Sequence, residues 1–233
     1  MESRERFKLT GAEEMIYLVG TPLGNLEDIT LRAIRVLQEA DVIACESKER
    51  ALKLLGHLQI KKPLIYLREA SRASDVKRII ELHKQGKTVA VTTDAGMPGI
   101  SDPGAYLVRE LSAQGIPFTV VPGPSALCMS ITVSGLEEPW AFLGFLPLKE
   151  GKRRRELEKF LPLNVGLVIY EGPHRVGKLL SLLNELCPQR KVALLRELTK
   201  LHEEVQVGYP HELIKDSYKG EFVVVVYPSQ EGT

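Results

Sequence analysis

Three segments of this chain share one construction: an apolar run ends abruptly in a turn of glycine, proline and small polar residues. Met15 to Val19 runs into Gly20-Thr21-Pro22-Leu23-Gly24-Asn25-Leu26-Glu27-Asp28-Ile29-Thr30, which opens an amphipathic helix. Thr88 to Thr93 runs into Asp94-Ala95-Gly96-Met97-Pro98-Gly99-Ile100-Ser101-Asp102-Pro103-Gly104, and Pro117 to Val121 into Pro122-Gly123-Pro124-Ser125-Ala126. In α/β sheets the carboxyl ends of strands are where ligands sit, and such turns let the backbone approach closely with no side chain in the way. Three of them along one sheet predict a shared cleft. The first turn is not GxGxxG, since its glycines at 20 and 24 enclose a proline. The dinucleotide fingerprint therefore fails.

The pattern around these turns alternates. Strands are predicted at Met15 to Val19, Asp41 to Cys45, Leu64 to Leu67, Thr88 to Thr93 and Pro117 to Val121, with helices starting at Leu31, Glu49, Asp75 and Ala105 between them. Ala33, Val36, Leu37 and Ala40 share one helical face, with Thr30 placed to cap it. Such alternation specifies a mainly parallel sheet covered on both faces. After the helix that Ser125 opens, Ser134-Gly135-Leu136-Glu137-Glu138-Pro139 breaks the pattern and reads as a linker. Strands then dominate, at Ala141 to Leu146, Val165 to Tyr170, Lys191 to Leu195, Glu203 to Val207 and Glu221 to Tyr227, with one clear helix marked by Val176, Leu179, Leu180 and Leu183. The expectation is an α/β fold of two α/β domains. Residues 1–14 form a loosely held extension, 15–134 a domain with a mainly parallel sheet, and 135–233 a domain with a mixed sheet.

Composition excludes several classes. A chain of 233 residues with 44% hydrophobic content can bury a sizeable core. Its net charge of +1 gives no global attraction to nucleic acid, so any RNA contact has to be local. No apolar run reaches the length of a membrane span, and residues 1–14 lack a signal-peptide core, which predicts a cytoplasmic protein with no membrane contact. Cys45, Cys128 and Cys187 are widely spaced in apolar contexts and read as buried free thiols. No His/Cys spacing suits a metal, and none is expected.

Taken together, the three turns resemble those of the tetrapyrrole methylase superfamily, the class III S-adenosylmethionine (SAM) methyltransferases. Within it, TPLGNLEDITLRA, DAGMPGISDPG, PGPSA, YEGPHR (170–175), RELTKLHEE (196–204) and GEFVVVV (220–226) are similar to the bacterial small-subunit rRNA (cytidine-2'-O)-methyltransferases. The likeness runs from about Met15 to about Tyr227. It implies two domains with SAM in the interdomain cleft, a homodimer, and 16S rRNA in the small ribosomal subunit as substrate. Two departures stand out. Glu46-Ser47-Lys48-Glu49, with Arg50 one place later, replaces the family's Glu-Asp-Thr-Arg tetrapeptide, and the sequence stops soon after its last strand, where the family commonly continues into a helical tail.

The resemblance assigns SAM contacts to Asp94, Ala95, Gly96 and Gly99, where free backbone N–H groups can hold a carboxylate, and to Ser125 and Ala126 at a helix start. Ser125 as a plain N-cap is the structural alternative. Pro22 and Leu23 are placed facing the cleft, Glu171 follows the apolar run Val165 to Tyr170, and Leu198 aligns with a backbone contact to adenosine. A salt bridge to Arg175 is the alternative reading of Glu171.

Methyl transfer to a ribose hydroxyl needs orientation plus a base or a polarising cation. Candidates are Glu46, His174, Arg196, Glu197 and Lys200, with a structural Arg196–Glu197 ion pair as the alternative. Lys149, Lys152, Arg153, Arg154 and Arg155 form a basic cluster near a helix start, where the macrodipole disfavours cations, and this points to an RNA backbone, with a solvated helix face as the alternative. No aromatic ladder for stacking bases is visible. A same-fold methylase acting on a tetrapyrrole, and a SAM-binding module without turnover, are the competing readings.

Overall fold

The computed structural model describes residues 15–229, so the extension expected over residues 1–14 lies outside the described residues. The apolar runs form strands and the amphipathic stretches form helices. These are β1 (Ile16–Val19), α1 (Leu31–Glu39), β2 (Val42–Cys45), α2 (Lys48–His57), β3 (Leu64–Tyr66), α3 (Arg72–Lys84), β4 (Val89–Val91), α4 (Gly104–Ala113) and β5 (Phe118–Val121). There follow α5 (Ala126–Ser134), β6 (Trp140–Phe145), α6 (Glu150–Phe160), β7 (Gly166–Glu171), α7 (Val176–Leu186), β8 (Val192–Arg196), β9 (Glu204–Gly208) and β10 (Phe222–Val226). Thr30 caps α1, its Oγ1 accepting from Ala33 N at 3.1 Å, and the buried stripe is the Ala33, Val36, Leu37 face.

The described chain separates into two compact units, one running through Ser125 and the other starting at Ala126. In the first, five strands are ordered β3-β2-β4-β1-β5, every neighbour parallel. From β1 the chain moves outward through α1 and α2 to β2 and β3. It then doubles back through α3 to insert β4 beside β1, and crosses by α4 to β5 on the far side. Both faces are covered. Ile16, Ala44, Val89 and Val91 pack under α3 and α4, while Val19, Ile43, Ala90 and Val121 pack under α1 and α2. β4 is buried at all three positions, as a strand sandwiched between helical layers must be.

The second unit has strand order β6-β7-β10-β8-β9, with β6–β7 parallel and the other three pairings antiparallel. It is the expected mixed sheet. Leu157 of α6 and Val176, Leu179, Leu180 and Leu183 of α7 cover one face through Leu167, Ile169, Leu194 and Val224. On the other face Val168, Ala193, Leu195, Val223 and Val225 pack with Leu136 and Leu198 and with the α5 residues Ala126, Leu127, Met129 and Ile131. That packing accounts for the division after Ser125 and not after Ser134, since among the described residues no other helix packs on this face of the mixed sheet. Residues Gly135 to Pro139 then link α5 to β6, with Gly135 at φ +62°. Among the cysteines, Cys45 and Cys187 are buried and Cys128 is exposed, contrary to expectation: it sits on the outward side of α5. No helix among the described residues is long and apolar enough to cross a membrane.

Candidate functional site

The strand order creates a switch point. The connections from β1 and β4, which are neighbours, leave toward opposite sides of the sheet, and the carboxyl ends at such a point are where open α/β sheets hold ligands. The three glycine-proline turns meet there. Thr21 and Gly96 exchange both backbone hydrogen bonds, at 2.9 and 3.0 Å, tying the β1 turn to the β4 turn. Gly20 N donates to Val121 O at 3.0 Å, and Gly123 N donates to Met97 Sδ at 3.1 Å, which brings in the turn after β5.

Two glycines make the packing possible. A Cβ on Gly20 would stand 2.6 Å from Met97 Sδ and 2.7 Å from Gly123 Cα and N, and one on Gly123 would stand 2.9 Å from the Gly20 backbone. Gly96 and Gly99 add φ values of +83° and +95° that other residues rarely adopt. Asp102 closes the β4 turn, accepting from Gly99 N at 2.9 Å, Ile100 N at 3.1 Å and Gly104 N at 2.6 Å. Burial pushes its carboxyl above the ordinary value against the pull of those three donors. Asp102 was not among the expected site residues. Its signal was an Asp-Pro pair at a helix start.

The carboxyl end of β2 joins the same edge. Asp94 Oδ1 accepts from Ser47 N at 3.0 Å, Arg50 Nε lies 3.5 Å from Asp94 Oδ2, and Asp94 N donates to Glu46 Oε1 at 3.3 Å. Ser47 caps α2, its side chain accepting from Arg50 N at 3.3 Å. The altered tetrapeptide thus works as a cap plus an arginine that reaches Asp94. Burial raises the Glu46 carboxyl above its ordinary value. The charges of Asp94 and Asp102 add to this, while the Asp94 N–H and Arg50 oppose it. Pro22 is buried, and Leu23, Ala95 and Gly99 are half-buried. Leu23 Cδ2 would stand 3.1 Å from a Cβ on Gly96.

Ser125 does not act as a cap: its Oγ is buried and has no hydrogen-bond partner. Glu171 shows a related feature. It is 2% exposed, its Oε1 accepts from Gly172 N at 2.9 Å, and its Oε2 has no partner. Arg175 Nε lies 3.0 Å from Glu171 Oε1 but off hydrogen-bond geometry, so the contact is ionic, while Arg175 Nη2 donates to Leu146 O at 2.6 Å.

The remaining candidates sit in the second unit. Ala126 starts α5 and is half-buried, and the Leu198 side chain is core, leaving only its backbone for a ligand. Arg196 pairs with Glu204 at 3.5 Å and donates to Lys219 O at 2.7 Å, so the Arg196–Glu197 pair weighed as the structural alternative is not the one formed. Glu197, at φ +52°, instead holds Lys200 Nζ and Glu221 N, both at 2.8 Å. Burial alone would raise its carboxyl, but these donors and the nearby cations outweigh it and hold the group below the ordinary range. Lys200 also reaches Glu221 Oε2 at 2.9 Å. Burial would depress its ammonium, and the two carboxylates reverse that. His174 is exposed in the turn before α7.

The basic cluster on α6 is corrected in part. Arg153 is 4% exposed, its guanidinium directed at Pro147 O and Leu148 O, so it holds the preceding turn and is not available to RNA. Arg154 is paired with Glu185. Lys149, Lys152 and Arg155 remain exposed. Helical periodicity turned one of four consecutive cations inward, which charge counting does not register.

The parallel sheet with a glycine-closed switch point, followed by a mixed sheet, defines a two-domain α/β ligand-binding protein. The sequence pattern of the tetrapyrrole (corrin/porphyrin) methylases matches residues 15–213, and the chain belongs to that family. It is 98% identical over 219 residues to the ribosomal RNA small subunit methyltransferase I of Coprothermobacter proteolyticus, covering 94% of this chain and 100% of that protein. It is 44% identical to the protein of the same name from Thermotoga maritima, covering 91% and 97%. Among solved structures, the uroporphyrin-III C-methyl transferase from Thermus thermophilus complexed with S-adenyl homocysteine superposes with a TM-score of 0.65 at 22% identity, covering 91% of this chain and 96% of that one.

Proposed function

We propose that this protein is a SAM-dependent methyltransferase that modifies the ribose 2'-hydroxyl of a cytidine in 16S rRNA of the small ribosomal subunit. The observation that carries the reading is the near-identity, across 94% of the chain, to a protein named for small-subunit rRNA methylation. The first unit fits the cofactor on its own terms. A buried serine hydroxyl with no protein partner stands at the end of a turn whose glycine packs directly on the β1 turn. Pro22, Leu23, Asp94, Ala95, Gly96, Gly99 and Ser125 would hold SAM there. In the second unit Ala126, Glu171 and the Leu198 backbone keep the contact role that the resemblance implies.

When bound, SAM supplies a methyl group that is already activated, so the protein's task is orientation and proton removal. Glu46 is the base. It lies at the carboxyl edge of the parallel sheet, and burial raises its proton affinity above that of an ordinary carboxylate, the direction a proton acceptor needs. Glu197 and Lys200 are locked to each other, and the lowered Glu197 carboxyl makes a poor base. Lys149, Lys152 and Arg155 face an RNA phosphate backbone. The protein acts in the cytoplasm as a homodimer.

Purified protein incubated with methyl-labelled SAM and small subunits from a host lacking this gene should label one cytidine ribose. Absence of label, with SAM binding intact by calorimetry, overturns the reading. Glu46→Gln should lower kcat while leaving SAM affinity unchanged.

A further inference from the structure

Two tyrosines of the first unit each carry two cations against their rings. Arg68 lies 4.1 Å and Lys48 4.5 Å from the Tyr66 ring centre, and Arg72 lies 5.0 Å and Arg109 5.7 Å from that of Tyr106. The two sets adjoin, because Arg68 and Arg72 flank the single short turn Glu69–Ser71 before α3. They also border the site. Tyr66 ends β3 and pairs in register with Cys45, the neighbour of Glu46, while Lys48 starts α2 just beyond it. Tyr106 and Arg109 lie in α4, which begins at the Asp102-anchored end of the β4 turn.

The charge here is not neutralised. Among the described residues only two carboxylates pair with these four cations: Asp75, 3.9 Å from Arg68 Nε, and Glu69 with Arg72. Asp75 is largely committed elsewhere, accepting from Arg68 N at 3.0 Å and Ser71 Oγ at 2.7 Å. Lys48 stands in the first turn of α2, where the helix dipole opposes a cation. A guanidinium laid on an aromatic ring loses rotational freedom but keeps its N–H donors at the edge, so it meets a phosphate at lower entropic cost than a free arginine. Arg68 and Arg72 remain about half exposed, with side-chain accessibilities of 51% and 45%.

We infer that the Tyr66–Tyr106 patch, with Lys48, Arg68, Arg72 and Arg109, is a binding track for the phosphate backbone of the substrate RNA, leading along the first unit to the carboxyl edge of its sheet. This rests on the rRNA reading above and places a principal RNA contact on the first unit, in addition to α6.

The test compares Arg68→Gln/Arg72→Gln with wild type and with Lys61→Gln/Lys62→Gln. The control removes the same charge from the loop before β3, at the opposite edge of the sheet. Binding to small subunits and to a single-stranded RNA oligonucleotide is measured against salt. Each lost phosphate contact lowers the log–log salt slope by about 0.7, so the patch variant should lose about 1.4 in slope and on the order of ten- to thirty-fold in affinity at 0.1 M salt. The control should match wild type, SAM affinity should be unchanged in all three, and the patch variant, which also loses two ring contacts and two surface ion pairs, should melt no more than a few °C below wild type. Equal slopes for patch variant and control, with wild type methylating small subunits, overturn this inference alone. A wild type that binds neither RNA overturns it together with the functional reading.

Discussion

Gly20→Ala tests whether the three turns are held together by backbone contact. The new Cβ would lie 2.7 Å from Gly123 Cα and N, about 1 Å inside the ~3.5–4.0 Å optimum for carbon contacts. Two of its three nearest atoms are backbone, so the strain cannot be relieved by a rotamer change. Overpacking of this kind costs about 1–3 kcal/mol, and the rigid neighbours place this site in the upper half of that range. At roughly 2–4 °C per kcal/mol for a chain of this size, the thermal midpoint should fall by about 4–10 °C. Gly56→Ala gives the opposite sign. No atom lies within 4 Å of its Cβ, and in α2 the change should stabilise by about 0.5 kcal/mol. Because Gly20 and Gly123 share one contact, the double alanine variant should cost less than the sum of the singles, with a coupling of about 0.5–3 kcal/mol. Calorimetric scans of the four variants, with SAM titrations, decide the matter. A Gly20→Ala protein that melts within 1 °C of wild type, or a strictly additive double variant, refutes the reasoning.

Ser125→Ala should leave the ligand-free protein as stable or slightly more so, since the Oγ has no partner to lose. Cofactor affinity should fall about three- to ten-fold, the worth of one hydrogen bond, and calorimetry with a melting curve reads both. A lower midpoint with unchanged affinity would show that the hydroxyl is structural. Glu46 binds its proton more tightly folded than unfolded, so its contribution to stability is present below about pH 4.3, the unfolded value, and is lost as pH rises through the raised folded value. Glu46→Gln should therefore gain midpoint relative to wild type as pH climbs from 4 to 7, and a difference that is flat with pH contradicts the burial argument.

The fold was legible because its strands are continuous apolar runs. Each of the ten expected strands was found, their ends differing by one or two residues, since Gly and Pro punctuate both sheets. The unit boundary was less legible. Ser134 to Pro139 carries the turn signal, but α5 belongs to whichever sheet lacks a cover, and that depends on the pairing of distant strands. No local pattern in Ala126–Ser134 encodes it.

The site divides along the same line. Backbone features were readable, because glycine and proline act locally: the turns at 20, 96, 99 and 123 fall where the strands end. Side-chain alliances were not. Glu197 chose Lys200 and Glu221 over Arg196 because the positive φ at 197 turns it toward Gly220, where a Cβ would stand 2.6 Å from its Cγ. The RNA question shows the limit most clearly. Four consecutive basic residues drew attention to α6, yet one of them is a buried backbone brace. The ring-held cations at 48, 68, 72 and 109 are spread over more than sixty residues and form a patch only because β2, β3 and the start of α4 share one edge of a parallel sheet. Charge density along a chain and charge density on a surface coincide only for residues that the helix period turns outward, so a run of four cations on α6 presents fewer of them than its sequence suggests.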